Sequence, residues 1–267
     1  MKKLQTIFKK GSTTYYYSSL FFPANLRNSV TTLYAFVRTA DDYVDAIPQQ
    51  ESEFNNFKKA TTDALNGIST EHNIITPFIA LLKEHTILKE WVTAFLNSMS
   101  ADLHKKIYAT YEELEEYMYG SAEVVGLMMA RLMKLPEQSY NAARTQGKAM
   151  QLLNFIRDVK EDLELGRQYI PESDLRQVGV KKLSPSDINI EKLITYEINR
   201  YFLLQKKAEE GYKYIPRDYL IPIKTAADLY KWTAKTILKD PRIIFRKKIK
   251  PTPLYVFWVI LKNRLTI

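Results

Sequence analysis

The sequence predicts an all-α fold on three observations. Long stretches place apolar residues at i, i+3, i+4 and i+7, the period of a helix with one buried face. Glycine is scarce, with 8 in 267 residues. Strand-type alternation of apolar and polar residues is hard to find along the chain. At 46% hydrophobic residues, the chain can bury a large core. No composition shift marks a linker and no internal repeat stands out, so residues 1–267 are expected to form a single domain.

The elements follow in order. Residues 1–22 read as a leader with short structure. Pro23 suits the opening of a helix that runs to about Asp45, and Pro48 ends it. Glu51 to Asn66 reads as a second helix, with Asn66-Gly67 as its stop. Shorter helices fit 75–84 and 88–103. "TYEE" (Thr110–Glu113) has capping-box spacing and opens a helix to about Met133. Pro136 starts the next helix, expected to run unbroken to Leu165 with Gly166 past its end. Segment 167–185 holds Pro171, Gly179 and Pro185 and reads as loop. Helices resume over 187–213 and 217–238, and a shorter one follows Pro253.

Composition narrows the chemistry. The chain has no cysteine, which excludes disulfides, thiolate nucleophiles and Cys-ligated metals and suits a cytoplasmic protein. "MKKLQTIFKK" lacks the apolar core of a signal peptide. The longest late apolar run, "LYVFWVIL" (Leu254–Leu261), is far short of the about 20 residues that span a bilayer. The formal net charge is +9, and Lys/Arg crowd "KDPRIIFRKKIK" (Lys239–Lys250) just before that run. A basic patch beside an aromatic apolar stretch suits peripheral contact with an anionic inner membrane surface. The competing reading is a solvated basic face followed by a packed terminal helix. Nucleic acid is not expected, because there is charge but no recognition motif. His72, His85 and His104 show no ligand spacing.

Against that basic background, "RTADDYVD" (Arg38–Asp45) carries three aspartates in five positions. On a helix, Tyr34, Arg38, Asp41 and Asp45 share one stripe, while Asp42 points about 100° away from Asp41. In "QLLNFIRDVKEDLELGRQYIP" (Gln151–Pro171), Gln151, Asn154, Asp158 and Asp162 are spaced 3, 4 and 4 and also share a face. The i, i+4 pair Arg157 and Glu161 is expected to form a salt bridge. One such acidic stretch alone is an ordinary exposed helix end. Two with matched faces, one extended by amides, suit a small cluster of hard divalent cations. Mg²⁺ takes one or two carboxylates per ion and fills its other positions with substrate phosphates. The expected ion is Mg²⁺, with Mn²⁺ the alternative. A glycosidase-like carboxylate pair would not explain two separate pairs on helices.

These residues resemble the two signatures of the squalene/phytoene synthase family, and "YMYGSAEVVGLMMARLM" (Tyr117–Met133) is similar to the segment between them. The likeness covers most of residues 10–175 and is weak in the last third. It implies an isoprenoid-synthase fold, a helical bundle around a central cavity. It implies a Mg²⁺-dependent prenyltransferase that joins two prenyl diphosphates head to head (1′–1) through a cyclopropylcarbinyl diphosphate. It also assigns roles. Asp41, Asp45, Asp158 and Asp162, helped by Asn154, match metal ligands. Arg38 matches a diphosphate-contacting arginine. Tyr34, Gln151 and Tyr169 match residues near the reacting ends. Ser12 and Thr14 match small hydroxyl residues that bind diphosphate, although many relatives carry histidine and lysine where this chain has Gly11 and Thr13. Arg246, or its neighbours Lys247 and Lys248, is expected to supply a late basic contact.

Several finer readings follow from the resemblance. Aromatic faces stabilise carbocations, and Tyr117, Tyr119 and Phe155 lie near the motif helices. Small residues in "SAEVVG" suit close helix packing or room for a prenyl chain; Glu123 within it has no evident role. No G-x-G-x-x-G supports NADPH, and no long C-terminal anchor of the eukaryotic squalene synthase kind follows. Phytoene-type chemistry, ending by proton loss without NADPH, is therefore expected. Small Thr31 and Ser19 suggest a deep pocket for two geranylgeranyl diphosphates, giving phytoene. The alternatives are a C30 dehydrosqualene- or squalene-type synthase using farnesyl diphosphate, a head-to-tail prenyltransferase or terpene cyclase, and a non-catalytic family member acting as an assembly protein.

Overall fold

The computed structural model describes all 267 residues as helices joined by short connections, with one isolated parallel bridge between Ile107 and Gln168. The helices are α1 (Lys2–Gly11), α2 (Thr13–Ser19), α3 (Ala24–Asp45), α4 (Glu51–Leu65), α5 (Ile75–Glu84), α6 (Lys89–Ala101) and α7 (Tyr111–Met118). A π-helical turn, Tyr119–Glu123, leads into α8 (Val124–Leu132). Then come α9 (Tyr140–Arg157), α10 (Val159–Glu164), α11 (Glu172–Val178), α12 (Ile190–Glu209), α13 (Arg217–Lys239) and α14 (Pro253–Thr266). One contiguous core of 57 buried residues joins α1 to α13, and a small satellite of Leu229, Val256, Val259 and Ile260 seats α14. No helix is long and apolar enough to cross a membrane.

Four elements differ from expectation. The N-terminal leader is two helices. Only Leu4 and Phe8 of the amphipathic α1 are buried, and they dock it on α3. The helix opened by Thr110, whose hydroxyl accepts from Glu113 N–H, is interrupted at 119–123 by the π turn. A π turn of this kind often marks a functional site. The helix expected to run to Leu165 breaks at Asp158 (φ −100°, ψ 14°). Asp158 still donates to Asn154 O and accepts from Asp162 N–H, so the chain bends without losing its ladder. The segment read as loop contains α11, seven residues closed by Gly179 at φ 79°. It is too short to display a period.

The π turn and α8 lie unusually close to α9. A Cβ on Gly147 would sit 2.3 Å from the Ala122 carbonyl oxygen, and one on Gly126 would sit 2.2 Å from the Ala143 carbonyl oxygen. This explains the small residues of "SAEVVG": they permit the approach, while Ser121, Ala122 and Gly126 also face the central cavity. Gly147→Ala adds about 1 kcal/mol of helix propensity. The backbone clash should outweigh it and lower stability by about 2 kcal/mol, measured by urea unfolding. An unchanged midpoint would mean the helices can separate at little cost.

Glu123 is also explained. It is buried, and it pairs with Arg144 at 2.8 Å and Lys148 at 2.7 Å, a clamp between the π turn and α9. A second buried ion cluster joins α11 and α12, where Arg200 bridges Asp174 and Glu197 at 2.7 Å each. Burial pushes Glu197 up to about 8, against the pull of Arg200, and its second oxygen has no partner. A raised carboxyl pKa adds stability that is full below the unfolded value and is lost as pH rises through the folded one. Glu197→Gln should therefore be stabilising relative to wild type at about pH 9 and near neutral only at about pH 4, below the unfolded-state value. Thermal melts at the two pH values check this, and an equal effect at both would refute it.

Candidate active site

A cavity of about 670 Å³ runs through the bundle, lined by α2, α3, α8, α9, α10 and α13. Helical period sets which side chains reach it. From α3 these are Val30, Leu33, Tyr34, Val37, Arg38, Asp41 and Asp45. From α9, α10 and the bend between them come Gln151, Asn154, Asp158 and Asp162. The two acidic stripes thus line the same space, together with Ser12, Thr14 and Tyr169. None of the three histidines lines it.

Cationic side chains hold most of the carboxylates. Arg38 donates to Asp41 at 2.8 Å and to exposed Asp42 at 2.6 Å. Arg167 donates to Asp45 at 2.6 Å. Arg157 grips Asp158 through two bonds of 2.7 and 2.5 Å, and Lys248 adds a third contact at 3.1 Å. Asp162 has no ion pair. Burial pushes Asp41 up to about 8, helped by Asp45 and opposed by Arg38. Asp162 is also pushed to about 8 by burial and then by Asp158 and Asp45. Asp158 is buried as well, but Arg157 and Lys248 win and hold it below the usual range.

Two expected contacts are corrected. Arg157 bonds its neighbour Asp158 rather than Glu161, because the bend at Asp158 swings the carboxylate onto the guanidinium; Glu161 meets Lys248 at 3.5 Å. Arg246 does not line the cavity; its exposed side chain pairs with Asp240. Of the alternatives named with it, Lys248 lines the cavity and Lys247 does not; Lys250 lines it as well. Thr31 is likewise absent from the cavity wall. It is buried, with its hydroxyl on Arg27 O at 2.7 Å, and Val30 and Leu33 face the space instead. Ser19 does line it. Tyr119 turns outward toward Arg144, whereas Tyr117 and Phe155 face inward.

Two of the cavity's tyrosine hydroxyls are joined in a chain to Asn154. Tyr15 Oη donates to Tyr230 Oη at 2.8 Å, and Tyr230 donates to Asn154 Oδ1 at 3.1 Å. Tyr34 stacks on Phe8 with centroids 4.0 Å apart. A Cβ on Gly11 would lie 2.5 Å from Tyr34 Oη, so a side chain there would displace that ring. Ser12 caps α2, accepting from Tyr15 N–H at 3.1 Å, so its hydroxyl stays at the cavity rim.

Sequence reading missed a buried centre beside Asp45. Asp102, 2% exposed, accepts from Tyr117 at 2.6 Å and Tyr169 at 2.7 Å. Arg167 lies next to it and bonds Asp45 and Val44 O. Tyr169 stacks on Phe155 with centroids 4.1 Å apart. Burial pushes Asp102 up to about 6 against the pull of Arg167. Asp102 stands outside either acidic stripe, so no local pattern singles it out. Tyr15 and Tyr230 were missed for the same reason, whereas Arg157 was noticed but assigned to Glu161.

The donor set fits a hard divalent cation. It is all oxygen, and two of its carboxyls, Asp41 and Asp162, are held up near 8 by burial and by neighbouring carboxylates, a penalty that a cation relieves. No group of three acidic or histidine side chains makes a complete protein cage. Each ion would take one or two of Asp41, Asp45, Asp158 and Asp162, with Asn154 nearby, and complete its shell with water and phosphate oxygens.

All-α architecture with two acidic stripes lining one central cavity is the arrangement of a helical-bundle enzyme with an enclosed site. Residues 8–255 match the squalene/phytoene synthase family, and the chain belongs to it. It is a prenyl-transferring enzyme. It is 26% identical to a 15-cis-phytoene synthase of Paracoccus sp. over 90% of this chain and 83% of that one. It is 28% identical to a 15-cis-phytoene synthase of Synechocystis sp. over 90% and 77%. It is 25% identical to a 4,4′-diapophytoene synthase of Staphylococcus haemolyticus over 65% and 63%. In fold it is similar to a dehydrosqualene synthase solved with a ligand, at TM-score 0.90 and 24% identity, covering 99% of this chain and 95% of that one. It also resembles the squalene synthase of Alicyclobacillus acidocaldarius, at TM-score 0.78 and 21% identity over 89% and 92%.

Proposed function

We propose that residues 1–267 act as one catalytic unit that condenses two geranylgeranyl diphosphates head to head to phytoene, through a cyclopropylcarbinyl diphosphate, with Mg²⁺ and without NADPH. The observation that carries it is one cavity whose acidic and basic rim adjoins an aromatic and small-residue interior. Mg²⁺ held by Asp41, Asp45, Asp158 and Asp162, with Asn154, would neutralise the leaving diphosphate and so help the carbon–oxygen bond break.

The chain's own groups do the rest. Arg38, Arg157 and Lys248 now sit on carboxylates and can exchange them for phosphate oxygens as the diphosphate enters. Ser12, Thr14 and Gln151 add neutral donors at the rim. Tyr34, Tyr117, Phe155 and Tyr169 present ring faces that stabilise an allylic cation and exclude water. Asp102 takes the O–H of Tyr117 and Tyr169, and Tyr15 donates to Tyr230. These hydrogen bonds fix the orientation of the three donor rings.

The phytoene synthase relatives support the C20 substrate, and so do the small residues Ser18, Ser19, Ser121, Ala122 and Gly126 on the wall. The farnesyl alternative, with a C30 product, is supported by the 4,4′-diapophytoene synthase relative. The test is to incubate purified protein and Mg²⁺ with either diphosphate, with and without NADPH, and identify extracted hydrocarbons by mass spectrometry. Phytoene without NADPH is the expected product, and Ser19→Phe should shift preference toward farnesyl diphosphate. A C30 product from the native chain would overturn the chain-length reading. No turnover by folded, metal-loaded protein would overturn the enzymatic one.

A further inference from the structure

Helix α14 is apolar on two opposite sides. Val256, Val259 and Ile260 are buried against the bundle. Leu254, Phe257, Trp258, Leu261 and Leu265, at spacings of 3, 1, 3 and 4, form a second stripe on the outside. Leu254 and Leu265 are each more than 80% exposed, and Phe257 and Trp258 more than half. Leu20, 41% exposed, and Phe21, whose ring centroid lies 6.3 Å from that of Phe257, extend the patch onto the end of α2. Isolated exposed apolar residues are ordinary, but a contiguous stripe with two aromatic rings marks an interaction surface.

Charge decides what covers it. Residues 241–267 hold seven lysines and arginines and no aspartate or glutamate. Lys247, Lys250, Lys262 and Arg264 make no ion pair with the protein's own acids, and the Lys262 ammonium lies 5.8 Å from the Trp258 ring centre. Two copies meeting through this stripe would bring like charges together. An anionic phospholipid surface brings opposite charge and a place for the apolar side chains.

We propose that α14 is a monotopic membrane-docking helix. Its outer stripe inserts at the headgroup–acyl boundary of an anionic bilayer, with Trp258 at the interface and the basic residues on lipid phosphates. The docking face lies one helix away from the cavity. Helix α2 packs against α14 and lines the cavity with Thr13, Thr14, Ser18 and Ser19, and Lys250 and Pro251 line it just before α14 begins. The surface thereby places a cavity wall against the phase in which long prenyl chains dissolve.

The probe is phospholipid vesicles, with no substrate present, so the outcome is independent of turnover. The full chain should co-sediment with phosphatidylcholine vesicles containing phosphatidylglycerol and much less with phosphatidylcholine alone, and added salt should weaken the binding. Trp91 is buried and Trp232 partly so, which leaves Trp258 as the reporter. Its emission should shift to the blue on vesicles and be quenched by brominated acyl chains. Trp258→Phe should remove that quenching while binding persists. Phe257→Asp with Leu261→Asp should lower the bound fraction about tenfold with an unchanged melting temperature, and Lys262→Glu with Arg264→Glu should lower it severalfold. Binding lost only in the charge variant, with no quenching, would overturn insertion. No vesicle binding, with a dimer that the apolar variant abolishes, would assign the stripe to a second copy and overturn the proposal.

Discussion

Asp162→Asn should lower turnover of a prenyl diphosphate about a thousandfold, or about 4 kcal/mol of transition-state stabilisation. Asp162 is the one aspartate of the two stripes with no ion pair; Arg167 and Lys248 pull its carboxyl down only in part, and in the proposed site a bound cation would balance the rest. The same feature separates function from folding. Burial holds its carboxyl up near 8, so ionising it costs the ligand-free protein stability as pH rises through that value. The asparagine variant should therefore melt at or above the wild-type temperature near pH 9, and Mg²⁺ with inorganic diphosphate, which should raise the wild-type melting temperature, should raise that of the variant much less. Measured turnover within tenfold of wild type would remove Asp162 from the proposed metal set. A large fall in melting temperature would recast it as structural.

Arg167→Met should cost about 3–5 kcal/mol of folding stability, the penalty for leaving a buried charge without its counterion. Arg167 is 3% exposed, holds Asp45 and the Val44 carbonyl, and lies beside Asp102. It already pulls the Asp102 carboxyl down; without it, burial drives that carboxyl further up from its value near 6. The loss should therefore be larger at neutral pH than at about pH 5, where Asp102 takes up a proton. Urea unfolding at both values checks the size and the sign. Adding Asp102→Asn should recover part of the loss, because it removes the stranded charge, and a double-mutant cycle reads the coupling. Additive effects would mean that Arg167 serves Asp45 alone.

Much of this was legible because helical period is local. Tyr34, Arg38, Asp41 and Asp45 share a face by spacing alone, and so do Gln151, Asn154 and Asp158; α3 and α9 present both sets to one cavity. Long helices with buried stripes, such as α3, α12 and α13, stand close to their expected ranges. Where the element was as short as α11 there was no full period to read, and the amphipathic α1 was passed over as a leader. Thr31 shows the limit of face arithmetic. It lies at the edge of the α3 stripe, and a rotation of a few tens of degrees decides between wall and core. Asp102 and Arg167 were silent because neither stands in a patterned context, and they meet across more than sixty residues.

Spacing and composition thus sufficed for the helical class, for two acidic faces on separate helices and for the family those faces point to. Only the packed chain assigned the cations: Arg157 and Lys248 to Asp158, Arg167 to Asp45, and Arg246 away from the cavity to Asp240. The reason is range. Which side of a helix a residue occupies follows from rise and twist over a few positions. Which charge meets which across a cavity depends on a bend at Asp158, a close approach at Gly147 and the docking of distant segments, and the burial that results sets each carboxyl's pKa.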